Sequence, residues 1–198
     1  MTTIAVLGNG RVGGGLATAL TRAGHQVRVA DRTPGAAADA ARTARIVINA
    51  TPGAGSLERL AALRAELRDK ILVDVSNATV DGPDGLPVDL LYPGSSLAEQ
   101  LQEALPGTRV VKTLNTMLFP VMTAPATLTR TPTAFLSGDD PQAKQTVREL
   151  LTGLGWHEEW ITDLGGIRTA RATEAAILFV PHVIRSSGFA PFAISIAR

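Results

Sequence analysis

Short runs of β-branched and aliphatic residues alternate with Ala/Leu-rich segments along most of the chain, the pattern of parallel strands joined by crossover helices. Strands are predicted at Thr3–Leu7, Gln26–Ala30 and residues 45–50, 70–75, 109–114 and 133–137. In Ile46-Val47-Ile48 and Ile71-Leu72-Val73 the apolar residues are continuous, as in strands covered on both faces. Helical spacing runs over residues 57–63 and 141–154, with Ser56 and Asp140 placed as N-caps, Pro141 just inside the second helix, and Gly153 or Gly155 as its stop. Residues 78–96, rich in Gly, Pro and Asp, lack periodicity and read as a long loop of the kind that serves as a lid. After Gly165-Gly166 the texture changes: residues 167–184 predict a helix broken at Pro181, and residues 192–196 a short terminal strand. The expectation is an α/β fold, a doubly wound parallel sheet over residues 1–165, with a small C-terminal helical segment, 166–198, completing a second pocket.

Composition narrows the chemistry. The 198 residues include no cysteine, which excludes disulfides, a thiolate nucleophile, an iron–sulfur cluster and Cys-ligated zinc. His25, His157 and His182 are too far apart for a local metal motif, so no metal is expected. With 19 Lys+Arg against 18 Asp+Glu, the chain lacks the basic excess of a nucleic-acid binder. No stretch approaches the roughly 20 apolar residues of a membrane helix, and Met1-Thr2-Thr3 leads directly into Ile4-Ala5-Val6-Leu7. A soluble cytoplasmic protein without a membrane partner is expected.

The first strand ends in Gly8-Asn9-Gly10-Arg11-Val12-Gly13 and a helical pattern follows at once. In a dinucleotide (Rossmann) fold Gly8 allows the tight turn, Gly10 lets the backbone approach a pyrophosphate, and Gly13 lets helix pack on strand. Amides at that helix N-terminus then hold the phosphates. Asp31 ends the second strand 18 residues after Gly13, where a carboxylate accepts the ribose hydroxyls of NAD; Arg32 beside it suits the 2′-phosphate of NADP. Both nucleotides remain open on these residues.

The order and spacing of Gly8–Gly13, Asn49-Ala50-Thr51-Pro52-Gly53, Val73-Asp74-Val75-Ser76-Asn77, Val110-Val111-Lys112-Thr113-Leu114-Asn115-Thr116, Ser137-Gly138-Asp139-Asp140 and Asp163-Leu164-Gly165 resemble the F420-dependent NADP oxidoreductase family over nearly the whole chain. The resemblance implies a Rossmann domain for the nicotinamide nucleotide and a C-terminal segment that helps to hold the deazaflavin coenzyme F420. It implies that Ala50, Thr51, Pro52 and Asn77 lie beside the cofactor, and that Lys112 and Asn115 approach its nicotinamide end. Four features depart from the family pattern: a short stretch between Asp31 and Ile46, Asp31 in place of Ser or Thr, Ala78 in place of proline after Asn77, and His182 in place of tryptophan.

Hydride transfer between a nicotinamide and a deazaflavin needs stacked rings and little acid–base machinery. Reduction of a small organic carbonyl instead needs a proton donor, for which Lys112 and His182 are the candidates. A third alternative is a non-catalytic NAD(P) sensor. His25 reads as part of a helix C-terminal cap, and His157 is given no role. The segment after Gly166 carries Arg168, Arg171, Arg185 and Arg198 against one carboxylate, Glu174. Arg168 and Arg171 share a helical face, an expected clamp for an anionic small-molecule redox partner, with Ile177, Leu178, Phe179 and Val180 as an apolar wall. The apolar C-terminal helix suggests a homodimer.

Overall fold

The computed structural model describes residues 1–197; Arg198 lies outside the described residues. The strand β1 (Thr3–Leu7) leads through the glycine turn into α1 (Arg11–Arg22), followed by β2 (Gln26–Ala30), α2 (Ala36–Thr43) and β3 (Ile46–Asn49). Next come α3 (Ser56–Ala61), α4 (Arg64–Leu67), β4 (Ile71–Asp74), β5 (Thr79–Asp81), β6 (Pro87–Leu90), α5 (Leu97–Ala104) and β7 (Arg109–Lys112). The chain ends with α6 (Phe119–Thr123), β8 (Ala134–Leu136), α7 (Pro141–Gly153), β9 (Ile161–Asp163), α8 (Ala170–Ala175) and α9 (Phe179–Ser187).

Five parallel strands form the main sheet in the order β2-β1-β3-β4-β7. From β1 the chain travels one way to β2 and then returns to β3 on the other side. That reversal opens a crevice at the carboxyl ends of β1 and β3, where a doubly wound sheet takes its ligand. Successive strand residues face opposite sides. Ile4, Val6, Ile46, Ile48, Ile71 and Val73 pack with Leu16, Leu20, Val147 and Leu151 of α1 and α7. Ala5, Leu7, Val47, Leu72 and Val110 pack with Ala41, Leu60, Leu97 and Leu101 of α2, α3 and α5.

Several expectations need correction. The strand at 133–137 does not join the parallel sheet: β8 pairs with β9 and meets β7 through an isolated antiparallel bridge, Lys112 to Ser137. The chain turns away from β7 at Leu114, whose φ of 60° no continuing strand adopts. Residues 78–96 are not one loop. They contain the antiparallel β5/β6 hairpin, whose strands are too short to register as a periodic run. Gly55, in the left-handed region at φ 72°, occupies the cap position of α3, and Ser56 turns its hydroxyl inward instead. The 167–184 helix is broken before Pro181: a 3-10 turn at Ala176–Leu178 separates α8 from α9, and Pro181 lies in the first turn of α9, where its missing N–H costs no bond. Of the terminal strand, only a bridge from Ala193 to Met117 forms. The alanine-rich tract at 36–41 is helical within α2, which makes the β2-to-β3 crossover alone.

The segment after Gly166 is fastened to the sheet. Ile167 and Ala170 pack in the second core, and the Ile167 amide donates to Asp139 Oδ1 at 2.8 Å. Arg171 makes a two-pronged bond to Glu99 of α5, at 2.6 and 2.7 Å. Among the described residues no helix is long and apolar enough to cross a membrane.

The Arg171 hydrogen bond, against an opposing effect of burial, holds the Glu99 carboxyl below its ordinary value of 4.5. The link therefore stabilises the fold fully above the unfolded pKa and is lost as pH falls through the depressed folded value. Arg171→Ala should remove that acid-dependent component, read as a flatter decline of the urea midpoint from neutral pH down to about pH 3. An unchanged decline would mean the link contributes nothing.

Candidate nucleotide and redox site

The glycine turn is shaped by contact. Gly8 sits at φ 107°, and a Cβ there would lie 2.6 Å from the Ala50 carbonyl oxygen at the end of β3. A Cβ on Gly13 would lie 1.9 Å from the Gly8 oxygen, so helix, turn and strand meet with no side chain between them. Gly10 differs: among the described residues, no atom beyond its chain neighbours lies within 4 Å of its Cβ position. It caps α1 with extended backbone; no side chain bonds the first turn and no carboxylate lies in it, leaving these amides open to an anion. Asn9 and Arg11 are exposed beside this cradle, with the Arg11 guanidinium 5.2 Å from the Phe119 ring centre, and Val12 packs against the first core.

Asp31 and Arg32 stand exposed beyond β2. Asp31 Oδ1 accepts from the Thr33 amide at 2.9 Å, and its bonding to Thr33 lowers the carboxyl pKa. Arg32 has no ion-pair partner among the described residues.

After β3, half-buried Thr51 donates its hydroxyl to Asn49 Oδ1 at 2.7 Å and lies 2.9 Å from Ser56 Oγ. Arg59 braces this turn, donating to the carbonyls of exposed Pro52 at 2.5 Å and Ala54 at 3.0 Å. The ends of β4 and β7 are joined by a reciprocal pair: Asn77 Nδ2 donates to the Asn115 carbonyl and Asn115 Nδ2 to Asn77 Oδ1, each at 2.9 Å. Asn115 is buried, yet among the described residues its Oδ1 has no partner, and the hydroxyls of Thr113 and Thr116 are also unpartnered. Three such atoms flank Leu114 and its left-handed backbone, so strain and unpaired polar atoms coincide at the end of β7.

The two candidate proton donors lie elsewhere. Lys112 does not reach the crevice: it is 1% exposed, and its Nζ bonds Asp74 Oδ2 at 2.8 Å, Glu174 Oε1 at 2.9 Å and the Ser76 carbonyl. Burial alone would lower its pKa, but the facing carboxylates outweigh burial and the net direction is upward, the wrong way for a general acid at neutral pH. His182 is exposed on α9. The expected arginine clamp is halved, because Arg171 is taken by Glu99; Arg185 pairs with Asp84 of the hairpin at 3.2 Å, and Arg168 has no ion-pair partner among the described residues. Of the apolar wall, Ile177, Leu178 and Val180 are half-buried while Phe179 is 63% exposed. His25 caps α1 through its backbone amide, which donates to the Leu20 carbonyl at 3.1 Å.

Asn49, Ser56, Arg59, Asp74, Ser76 and Glu174 were not anticipated as site-shaping residues. Each looks like an ordinary strand-end or helix residue locally. The signal that was available is Glu174, a lone carboxylate in an arginine-rich segment.

The chain also compares closely with known proteins. Residues 3–54 match the family model of coenzyme F420-dependent NADP oxidoreductases. A crystal structure of a candidate F420-dependent NADP-reductase from Arthrobacter sp. FB24 is 36% identical, covers 100% of both chains and superposes with a TM-score of 0.91. A hypothetical protein of Sinorhizobium meliloti is 29% identical over 85% of this chain and 88% of its own, with a TM-score of 0.66. Pyrroline carboxylate reductase of Plasmodium falciparum, solved with NADP bound, shares the fold at 12% identity and a TM-score of 0.62, over 93% of this chain and 65% of its own. No functionally curated protein matches the chain. With 36% identity sustained from end to end on one backbone, the chain belongs to the F420-dependent NADP oxidoreductase family.

Proposed function

We propose that the protein is an NAD(P)-dependent oxidoreductase that exchanges a hydride between a nicotinamide nucleotide and coenzyme F420 or a related acceptor. The open N-terminus of α1 carries this reading: Gly8 and Gly13 are locked by contact, whereas the space at Gly10 is free for a pyrophosphate. Arg11 adds a cation beside the same amides, and Asn9 a side-chain amide. At the second strand Asp31 meets the ribose of NAD, while Arg32 offers NADP its phosphate partner. Ala50, Thr51 and Pro52 border the middle of the nucleotide. At the nicotinamide end, Asn77 and Asn115 brace each other across the strand ends. These residues fit a nicotinamide nucleotide, which when bound supplies the hydride.

The chain's own work is orientation and exclusion of water. With Lys112 enclosed by carboxylates, no general acid stands at the strand ends among the described residues. That favours ring-to-ring transfer over reduction of a carbonyl that must be protonated; His182, exposed on α9, is the donor left for the latter. Arg168 offers an anionic partner a cation, and the C-terminal segment bounds its side of the crevice. On the same segment Phe179 and Phe189 are 63% and 67% exposed, side chains that a homodimer would cover.

The deciding experiment is incubation with NADPH or NADH and oxidised F420, following deazaflavin absorbance. Turnover is expected. Binding without turnover would favour a sensor, and turnover with a small carbonyl or imine alone would replace the acceptor in this reading. Gly10→Val should stay folded and lose nucleotide binding, because the added methyls fill the space left for the pyrophosphate; wild-type affinity by calorimetry would move the cradle elsewhere. Asp31→Ser should shift preference toward NADPH on the order of tenfold by removing a like charge from beside the phosphate. An unchanged NADPH/NADH ratio would take Asp31 away from the ribose. Arg168→Ala should raise the partner's KM and flatten its salt dependence with nucleotide affinity unchanged; weakened nucleotide binding instead would assign Arg168 to the nucleotide.

A further inference from the structure

A buried polar chain runs beneath the crevice from the C-terminal segment to Thr51, and its donors and acceptors can be assigned one by one. Lys112 has three protons and three acceptors: Asp74 Oδ2, Glu174 Oε1 and the Ser76 carbonyl. Glu174 also accepts from the amides of Leu97 at 2.9 Å and Ala98 at 3.1 Å, the first turn of α5. Asp74 receives Lys112 on Oδ2, while its Oδ1 receives the Ser76 hydroxyl at 2.8 Å and the Asn49 side chain at 2.8 Å. Surrounded by donors and facing an ammonium, Asp74 can only accept. Asn49 must therefore turn its NH2 group to Asp74, which leaves its Oδ1 toward Thr51. That oxygen can only accept too, so the single Thr51 hydroxyl proton goes to it, at 2.7 Å.

We propose that Lys112 is a positioning residue for the nucleotide: through Asp74 and Asn49 it commits the Thr51 proton inward, so that Thr51 meets the nucleotide as a hydrogen-bond acceptor. The inference rests on the nucleotide reading above and adds a selection rule to it. A group placed against Thr51 must be a hydroxyl or an amide N–H, as on a ribose or a carboxamide, because a phosphate oxygen there would face only lone pairs. Thr51 Oγ1 keeps capacity for such a donor. With the Thr51 proton on Asn49, the 2.9 Å bond to Ser56 is donated by Ser56, which leaves the second Thr51 lone pair for a ligand; Arg59, 3.4 Å away, has nearer acceptors in Pro52 and Ala54. Without Lys112, Asp74 loses the cation that holds it in place, Asn49 keeps its orientation only through the long Thr51 amide bond at 3.3 Å, and Thr51 is released to donate in either direction.

The test is a double-mutant cycle on nucleotide dissociation constants, measured by calorimetry with NADPH and with NADH. Thr51→Val should weaken both nucleotides by roughly five- to tenfold, the value of one hydrogen bond, and Thr51→Ser should restore most of it. Lys112→Met should weaken both to a similar extent, and the Lys112→Met/Thr51→Val double variant should bind no worse than the weaker single variant. A residue that only holds the fold together would give losses that multiply, and multiplied losses overturn the proposal. So does a folded Lys112→Met protein with wild-type affinity, or a Thr51→Val loss confined to NADPH, which would put Thr51 on the 2′-phosphate. If Lys112→Met does not fold, Asp74→Asn breaks the same relay while keeping its shape and is expected to show the same coupling to Thr51. A wild-type protein that binds neither nucleotide would instead defeat the nucleotide reading itself.

Discussion

The ammonium of Lys112, enclosed between Asp74 and Glu174, is the interaction on which the site end of the molecule depends. Each of these ions costs several kcal/mol to remove from water, and a buried pair is stable only when every proton and lone pair is matched. Here the matching is nearly complete: three acceptors surround Lys112, and the second negative charge lies on the first amides of α5, where a helix dipole favours it. Removing Lys112 leaves two buried carboxylates without their cation, a loss of about 3–5 kcal/mol, whereas removing either carboxylate leaves a charge-balanced pair short of one hydrogen bond. Because the three come from β4, β7 and α8, the triad joins the middle of the sheet, its edge strand and the C-terminal segment at one point. The carboxyl ends of β4 and β7 are thereby held at a fixed spacing, and the Asn77–Asn115 pair spans it.

The parallel sheet was legible in the sequence because its strands are short, apolar and regularly interrupted, and because glycine at three set positions has a steric meaning that survives without coordinates. Five of the six expected strands form the sheet. What was not legible shares a cause: it depends on contacts between residues distant in the chain. Nothing near Lys112 announces that its partners are 38 residues upstream and 62 downstream. A lysine at a strand end reads as a candidate acid, and becomes a buried cation only when Asp74 and Glu174 arrive. Arg171 illustrates the same failure, since helical spacing pairs it with Arg168 while the fold pairs it with Glu99. The β5/β6 hairpin was missed for a different reason, because strands of three and four residues carry too few positions to show a period.

Backbone strain and unpaired polar atoms fall together at residues 113–116. A leucine at positive φ has a modest energetic cost, and buried hydroxyl and amide oxygens without partners cost more. The surrounding structure holds the loop in place from both sides: Asn77 from β4, and the terminal residues through the Leu118 amide to the Phe192 carbonyl and the Ile194 amide to the Thr116 carbonyl, each at 3.0 Å. A loop so constrained keeps its polar atoms where they are instead of relaxing to satisfy them.

The crevice is consequently polarised along its length. At the α1 end it presents donors, the free amides after Gly10 and the Arg11 guanidinium. Toward β3, on the proton placement proposed above, it presents an acceptor, the Thr51 hydroxyl oxygen with its proton turned inward. An anionic group gains hydrogen bonds only at the first end, and hydroxyl or amide donors only at the second. A ligand that is negative in its middle and rich in donors beyond satisfies both ends in one orientation, and reversing it would set phosphate against lone pairs. On the proposed role of Thr51, ligand orientation follows from where protons reside in the protein, and the remotest of the groups that set it is Lys112, buried among carboxylates.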